Sequence, residues 1–302
     1  MRVLVTGAAG FAGRHLADRL RDAGHELTGI GRRPEAPIDA TYLTADLLDA
    51  AAVREAFAEA RPEWVFHLAA DASVPQSWRE PAHTLRNNVE TTLNVLEAAD
   101  GARVLVAGSG EIYGPPARLP VDEEHGLRPQ NPYAVSKAAA DLLGGFYADA
   151  HGLPVIRARS FNHAGPGQSD VYVVSAFARQ IAEAERRGER EVVVRTGDLA
   201  ARRDFTDVRD VVRAYVLLME LAEPGPYNIC TGRSRPAADI LAALAQESQL
   251  EIKHETDPAR LRTHEVMDIR GSHEKLTHAT GWQPEVPFEQ TIRDTLDWWR
   301  SR

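Results

Sequence analysis

Thr6-Gly7-Ala8-Ala9-Gly10-Phe11-Ala12-Gly13 constrains this chain more than any other segment. Its glycines, spaced GxxGxxG, follow a short apolar run, Val3 to Val5, and precede a stretch in which Phe11, Leu16 and Leu20 recur at helical spacing. A strand that turns this tightly into a helix needs residues without a Cβ. One makes the turn, one lets backbone N–H groups approach a phosphate, and one lets helix and strand close up. The positive end of the helix dipole then faces any anion held there. The pattern predicts a dinucleotide-binding strand–turn–helix, with Gly7, Gly10, Phe11, Ala12 and Gly13 against the pyrophosphate.

The alternation continues. Strands are expected at Leu27 to Ile30, Tyr42 to Leu43, Trp64 to Leu68, Val104 to Ala107 and Val155 to Ala158. Helices are expected at Asp49 to Ala60, around Thr84 to Ala99, and at Pro132 to Ala150. Apolar strands separated by helices predict an α/β fold with a doubly wound parallel sheet, the Rossmann arrangement, over the first 160 residues. Beyond residue 160 the order loosens, with helices near Val174 to Arg187 and at Val208 to Leu221, a strand at Val192 to Val194, and repeated prolines before a final helix ending in Trp298-Trp299. Residues 1–160 with about 204–230 read as the nucleotide-binding domain, and about 161–203 with 231–302 as a smaller α/β substrate-binding domain.

Charge narrows the ligand. With 35 Lys+Arg against 44 Asp+Glu the net charge is -9, which repels a nucleic-acid backbone yet permits local arginine clusters around a small anion. The single cysteine, Cys230, excludes an internal disulfide, and the absence of CxxC or His/Cys spacing excludes a thiolate zinc site; no metal is expected. No run approaches the length of a membrane span, and the N-terminus enters a strand rather than a leader. A cytoplasmic protein without a membrane anchor is the expectation.

An acidic residue ending the second strand would bind the adenosine ribose 2′-hydroxyl, but here Gly31 is followed by Arg32 and Arg33. Guanidiniums in that place suit a 2′-phosphate, so NADP(H) is expected in preference to NAD(H). Asp46 and Leu47 are placed to reach the adenine, and the small Ala69 and Ala70 to let the cofactor pass.

Tyr133-Ala134-Val135-Ser136-Lys137 is YxxxK at the start of a helix, with Asn131 as N-cap and Pro132 in the first turn. Only three of the 35 cations are lysines, and seven tyrosines in 302 residues would give roughly 0.07 such pairs by chance. An ammonium one turn from a phenol is expected to favour its ionised form and make it a general acid/base. Ser109, in the loop after the fifth strand, is placed to hydrogen-bond a carbonyl or alkoxide oxygen. Glu111 offers a base, a partner for a sugar hydroxyl, or a loop cap. His67 and His163 read as satisfied interior histidines, and Asp204 and Asp207 as residues that fix the loop around Arg203.

These motifs, with HLAA at 67–70 and Asn88 in an NVxxTxN segment, resemble an extended short-chain dehydrogenase/reductase over the whole chain. The second half, with Ser160 to Gln168, Arg203 to Asp210, Tyr227 to Gly232 and Leu261 to Val266, is similar to the nucleotide-sugar branch. Within it the chain looks like the GDP-4-keto-6-deoxy-D-mannose reductases, neighbours of the GDP-mannose 4,6-dehydratases. The resemblance implies a Ser109, Tyr133, Lys137 triad, with Tyr133 and Lys137 also touching the cofactor. It implies a nucleotide-diphosphate sugar held by Asn162, Arg203 (after a late strand), Arg262 and Glu265, and a homodimer through a four-helix bundle. The implied reaction is reduction of a C4 ketone with NADPH to give GDP-D-rhamnose. A 4-epimerase or 4,6-dehydratase recycling its cofactor, for which Glu111 resembles the base, and a non-enzymatic NADP sensor stay open. The chain departs from the family pattern at Gly110, where a second hydroxyl residue is common, and at Thr263, where proline is usual.

Overall fold

Alternate residues of the first strand, β1 (Arg2–Thr6), face opposite sides of a sheet: Val3 and Val5 enter one hydrophobic core and Leu4 another. A strand buried on both faces must be covered on both. The computed structural model describes residues 1–32, 38–261 and 266–302. From β1 the chain passes through α1 (Phe11–Asp22), β2 (Glu26–Gly31), β3 (Thr41–Thr44), α2 (Ala50–Ala60), β4 (Trp64–His67), α3 (Val74–Arg79), α4 (Pro81–Ala98), β5 (Arg103–Ala107), α5 (Pro132–His151) and β6 (Val155–Ser160). The remainder is β7 (Asn162–Ala164), α6 (Val173–Arg186), β8 (Glu191–Thr196), β9 (Arg202–Asp207), α7 (Val208–Leu221), β10 (Gly225–Ile229), β11 (Ser234–Pro236), α8 (Ala237–Gln246), β12 (Glu251–Thr256), β13 (Asp268–Ile269), α9 (Glu274–Thr280) and α10 (Phe288–Arg300).

The central sheet is parallel throughout, seven strands in the order β10-β6-β5-β4-β1-β2-β3. The α/β doubly wound expectation is met. Strand order reverses between β1 and β4, and the loops leaving their carboxyl ends flank the crevice in which such sheets bind ligands. Helix α7 and strand β10, although late in sequence, complete this layer: Val211, Tyr215, Leu218 and Met219 of α7 share a core with Leu16 and Leu20 of α1. Helices α2, α4 and α5 cover the other face, where Leu4, Val65 and Val104 are buried.

A third core joins α6, α8 and α10, including Phe177, Ile181, Ile240, Leu244, Ile292 and Leu296. Beside it β11, β9 and β13 form a small sheet, to which β7 adds through β9. Asp204, in β9, is fully buried and accepts from Thr231 N (2.8 Å), Thr231 Oγ1 (2.6 Å), Gly232 N (2.9 Å) and Gly271 N (3.3 Å). It ties β9 to the turn after β10. Asp207 caps α7 by accepting from Arg209 N at 2.7 Å. Both carboxylates thus serve structure, fixing the joint between the layers next to Arg203. Among the described residues no helix is long and apolar enough to cross a membrane, and no group of three or more side chains suits a metal ion.

Candidate active site

Parallel strands bring their carboxyl ends to one edge. The glycine turn after β1, Arg32 after β2, Asp46 and Leu47 after β3, Ala69 and Ala70 after β4, and Ser109 to Glu111 after β5 therefore follow one another along the crevice. In the turn, Gly7 has φ +70°, and a Cβ on it would lie 2.9 Å from Ala69 N. A Cβ on Gly13 would meet the Gly7 carbonyl oxygen at 2.2 Å, and one on Gly10 the same atom at 3.0 Å. Only glycine fits at Gly7 and Gly13. No side chain caps α1 at Gly10, so the N–H groups of its first turn are directed outward with no side-chain acceptor. A bare helix start on a close-packed turn is the cradle a dinucleotide pyrophosphate requires, and these residues fit it.

The turn is braced from behind. Thr6 Oγ1 accepts from the N–H groups of Leu68 and Ala69, both at 3.1 Å, and bonds His67 Nδ1 at 2.8 Å; His67 Nε2 meets Thr92 Oγ1 at 3.1 Å. Since Thr6 already accepts twice, its proton goes to Nδ1 and the imidazole carries its hydrogen on Nε2. Burial, aided by the nearby Lys137 charge, pushes the His67 pKa down to about 3. It is a neutral structural histidine. His163 is likewise held low by burial, bonds Phe161 O at 3.2 Å, and stacks on Phe11 with ring centroids 5.9 Å apart.

Of the other cofactor candidates, Arg32 is exposed and Ala69 and Ala70 are half-buried. Asp46 Oδ1 accepts from Leu48 N at 3.1 Å, shaping the bend into α2, while buried Leu47 offers its carbonyl to Asn94 Nδ2 at 2.8 Å. Arg33 lies outside the described residues, as do Arg262 and Glu265.

Tyr133 and Lys137 stand in the first turns of α5, capped by Asn131, whose Oδ1 accepts from Ala134 N at 2.8 Å. Asn131 Nδ2 in turn donates to Glu111 Oε2 at 3.3 Å, so Glu111 steadies the cap of the helix that carries the tyrosine. Ser109 Oγ accepts from Glu111 N at 3.2 Å, which leaves its proton to donate toward the neighbouring Tyr133 phenol. The expectation of a lowered tyrosine pKa is corrected here. Burial raises the Tyr133 phenol well above its ordinary value, the Ser109 bond opposes this, and Tyr172, Glu111 and Tyr215 add to the rise. Lys137 spends its ammonium on the Ala107 carbonyl oxygen, at 2.8 Å, and its own burial lowers its pKa to about 8. A further tie escaped the sequence reading: buried Asn88 donates to Ser136 Oγ (2.9 Å) and to Asp71 O (3.0 Å), pinning α5 to α4 and to the loop after β4. A polar residue on the buried face of a helix was the available signal.

For the substrate, Asn162 is exposed in β7 and Arg203 is buried in the neighbouring β9, where Asn162 pairs with Phe205. Arg203 therefore follows β8, the late strand expected at Val192 to Val194, and itself lies in a further strand, β9. Its Nη1 donates to Arg202 O at 2.8 Å and Val266 O at 2.6 Å. The run from Arg202 to Asp207 is too polar to show as a strand by its hydropathy.

A sequence model of GDP-mannose 4,6 dehydratase matches residues 4–295. A GDP-6-deoxy-D-mannose reductase of Pseudomonas aeruginosa is 39% identical over a 308-residue alignment, covering 100% of this chain and 98% of the relative. A UDP-glucose 4-epimerase of Mycolicibacterium smegmatis is 32% identical, covering 100% and 99%. Among solved structures, RMD from Pseudomonas aeruginosa complexed with NADPH superposes with TM-score 0.87 at 37% identity, covering 100% and 99% of the chains. UDP-glucose 4-epimerase of Thermotoga maritima with UDP-glucose gives TM-score 0.91 at 29% identity, also covering 100% and 99%. Backbone shape does not separate reductase from epimerase, whereas sequence identity favours the reductase side. Glycine turn, strand-end serine, YxxxK helix and full-length similarity together establish that this chain belongs to the GDP-mannose 4,6 dehydratase family, in the nucleotide-sugar branch of the extended short-chain dehydrogenases/reductases.

Proposed function

We propose that this protein is an NADPH-dependent oxidoreductase that reduces the C4 ketone of a GDP-4-keto-6-deoxyhexose, giving GDP-D-rhamnose. The observation that carries the reading is the placement of Tyr133 and Lys137 in the first turns of α5 beside Ser109 at the end of β5, in a chain 39% identical to a GDP-6-deoxy-D-mannose reductase. A tyrosine there is protonated at neutral pH, which is what the proton donor in ketone reduction must be. NADPH, when bound, supplies the hydride. Tyr133 gives its proton to the ketone oxygen as that oxygen gains charge, and Ser109 donates a hydrogen bond to the same atom. Lys137, one helical turn away and charged below about pH 8, stabilises the phenolate left behind and reaches the nicotinamide ribose. The outward N–H groups of α1 receive the pyrophosphate, Arg32 and Arg33 the 2′-phosphate, and Asn162, Arg203, Arg262 and Glu265 the nucleotide sugar.

A 4,6-dehydratase is the second reading, since Glu111 lies close enough to Tyr133 to affect its ionisation. Against it, that carboxylate is engaged by the cap residue Asn131. Incubation with GDP-4-keto-6-deoxy-mannose and NADPH, followed at 340 nm, tests the proposal: oxidation with formation of GDP-D-rhamnose is expected. Turnover of GDP-mannose without added reductant supports the dehydratase instead.

We assign residues 1–160 with about 204–230 to cofactor binding and the remainder to the sugar nucleotide. We also infer a homodimer through α4 and α5, which pack together and leave Val135, Leu142 and Phe146 of α5 exposed by 42%, 60% and 57%. Two such pairs form a four-helix bundle, and Leu142→Glu with Phe146→Glu should halve the mass in solution. Cytoplasmic residence fits a free, buried Cys230.

A further inference from the structure

Arg14, the residue after the last glycine of the turn, folds back across that turn. Its Nε donates to the carbonyl oxygen of Ala9 at 2.9 Å, and the side chain is exposed. The turn itself rests on the end of β2: Gly7 N donates to Ile30 O at 3.2 Å, and a Cβ on Gly29 would lie 3.1 Å from the Ala8 Cβ. Arg14, anchored at Ala9, therefore stands by the carboxyl end of β2, from which Arg32 follows directly.

Neither Arg14 nor Arg32 has an acidic partner among the described residues, so both guanidiniums are open to an anion. The strand end also presents Gly31 in place of a carboxylate that would accept from a ribose hydroxyl. Two uncompensated guanidiniums flanking that point suit a dianion attached to the adenosine ribose. Because Nε is already bonded, the terminal nitrogens of Arg14 remain to donate and little side-chain freedom is lost on binding.

We propose that Arg14 is a specificity-determining residue that, with Arg32, reads the 2′-phosphate of NADPH. The assignment rests on the reading that the adenosine ribose lies against the end of β2. The test is equilibrium binding of NADPH and of NADH to the full chain, for the wild type, Arg14→Ala and Arg14→Gln. Thermal melts confirm that each variant is folded. Both variants are expected to weaken NADPH roughly tenfold, the worth of one charge-assisted contact, and to leave NADH unchanged. Equal weakening of both cofactors, or full recovery in the glutamine variant, would show that Arg14 only holds the turn and would overturn the proposal; so would unchanged NADPH binding. A wild type that binds NADH as tightly as NADPH would instead overturn the underlying reading, and that outcome is visible without any variant.

Discussion

The ring of Phe161 occupies the space that a side chain at Gly110 would need. A Cβ on Gly110 would lie 3.0 Å from the Cγ and Cδ2 atoms of that ring, and a Cβ on Gly271 would lie 2.7 Å from its Cε2 and Cζ atoms. The ring is crowded at both ends by glycines, which leaves no room for a hydroxyl-bearing side chain at Gly110 in the loop after β5. Gly110→Ser should cost about 1–3 kcal/mol, the usual penalty for overpacking. Combined with Phe161→Leu it should cost less than the sum of the two single changes, as measured by urea denaturation.

In the proposed reaction Ser109 and Tyr133 act on one oxygen, so their removal should appear in the chemical step. Tyr133→Phe is expected to lower kcat by about 10²- to 10⁴-fold. Ser109→Ala should lower it by about 10²-fold. Neither should change the dissociation constant of the nucleotide sugar by more than about twofold, because each contact strengthens chiefly as charge develops. Steady-state kinetics beside calorimetric binding separates the two effects.

Lys137 makes the site sensitive to pH. Burial moves its pKa from 10.5 to about 8, so the free enzyme loses this charge as pH rises through about 8, and kcat/KM should fall above that point. The stability effect has the opposite sign. A buried ammonium is penalised below about pH 8, where it is charged folded and unfolded alike, and the penalty is relieved between about 8 and 10.5, where the unfolded chain holds the extra proton. Lys137→Met should therefore lack the alkaline limb in its residual activity. Its melting temperature relative to the wild type should be highest near neutral pH and decline toward pH 10, as calorimetric scans across that range would record.

The layer that holds the cofactor was legible because its signals are local. Val3 to Val5 is apolar throughout, Gly7 and Gly13 tolerate no Cβ, and Asn131-Pro132 announces α5. The smaller layer was not: β7, β11 and β13 are two or three residues long and carry no periodicity. Their pairing depends on distant groups such as Asp204, whose donors come from residues 231, 232 and 271. YxxxK, announced by its cap, placed Tyr133 and Lys137 on one helix but did not give the state of the phenol. Spacing fixes neighbours along a helix, whereas the raised tyrosine and lowered lysine arise from burial by the whole fold.

Two turns beyond Tyr133, Asp141 meets Arg159 of β6 in a buried two-point contact, Nε to Oδ1 at 2.9 Å and Nη2 to Oδ2 at 2.8 Å. Arg159 Nη1 also donates to the Tyr113 hydroxyl at 2.9 Å and to Glu123 O at 3.1 Å, and Tyr113 passes its proton to Asn228 Oδ1 at 2.8 Å. One ion pair thereby joins α5, the loop that presents Ser109, the strand leading to Asn162, and β10. Arg159→Met leaves a carboxylate that is 1% exposed with Arg157, itself 20% exposed and 3.2 Å away, as its remaining partner, and should cost about 1.5–3 kcal/mol, the worth of a lost charge-assisted bond. Asp141→Leu together with Arg159→Met removes both fully buried charges and should be less destabilising than Asp141→Leu alone, which strands Arg159; Arg157, 20% exposed, can then turn its guanidinium to solvent. Denaturant melts of the cofactor-free chain decide this. A double variant that loses the sum of the two single losses would mean that the pair acts through packing and not through charge.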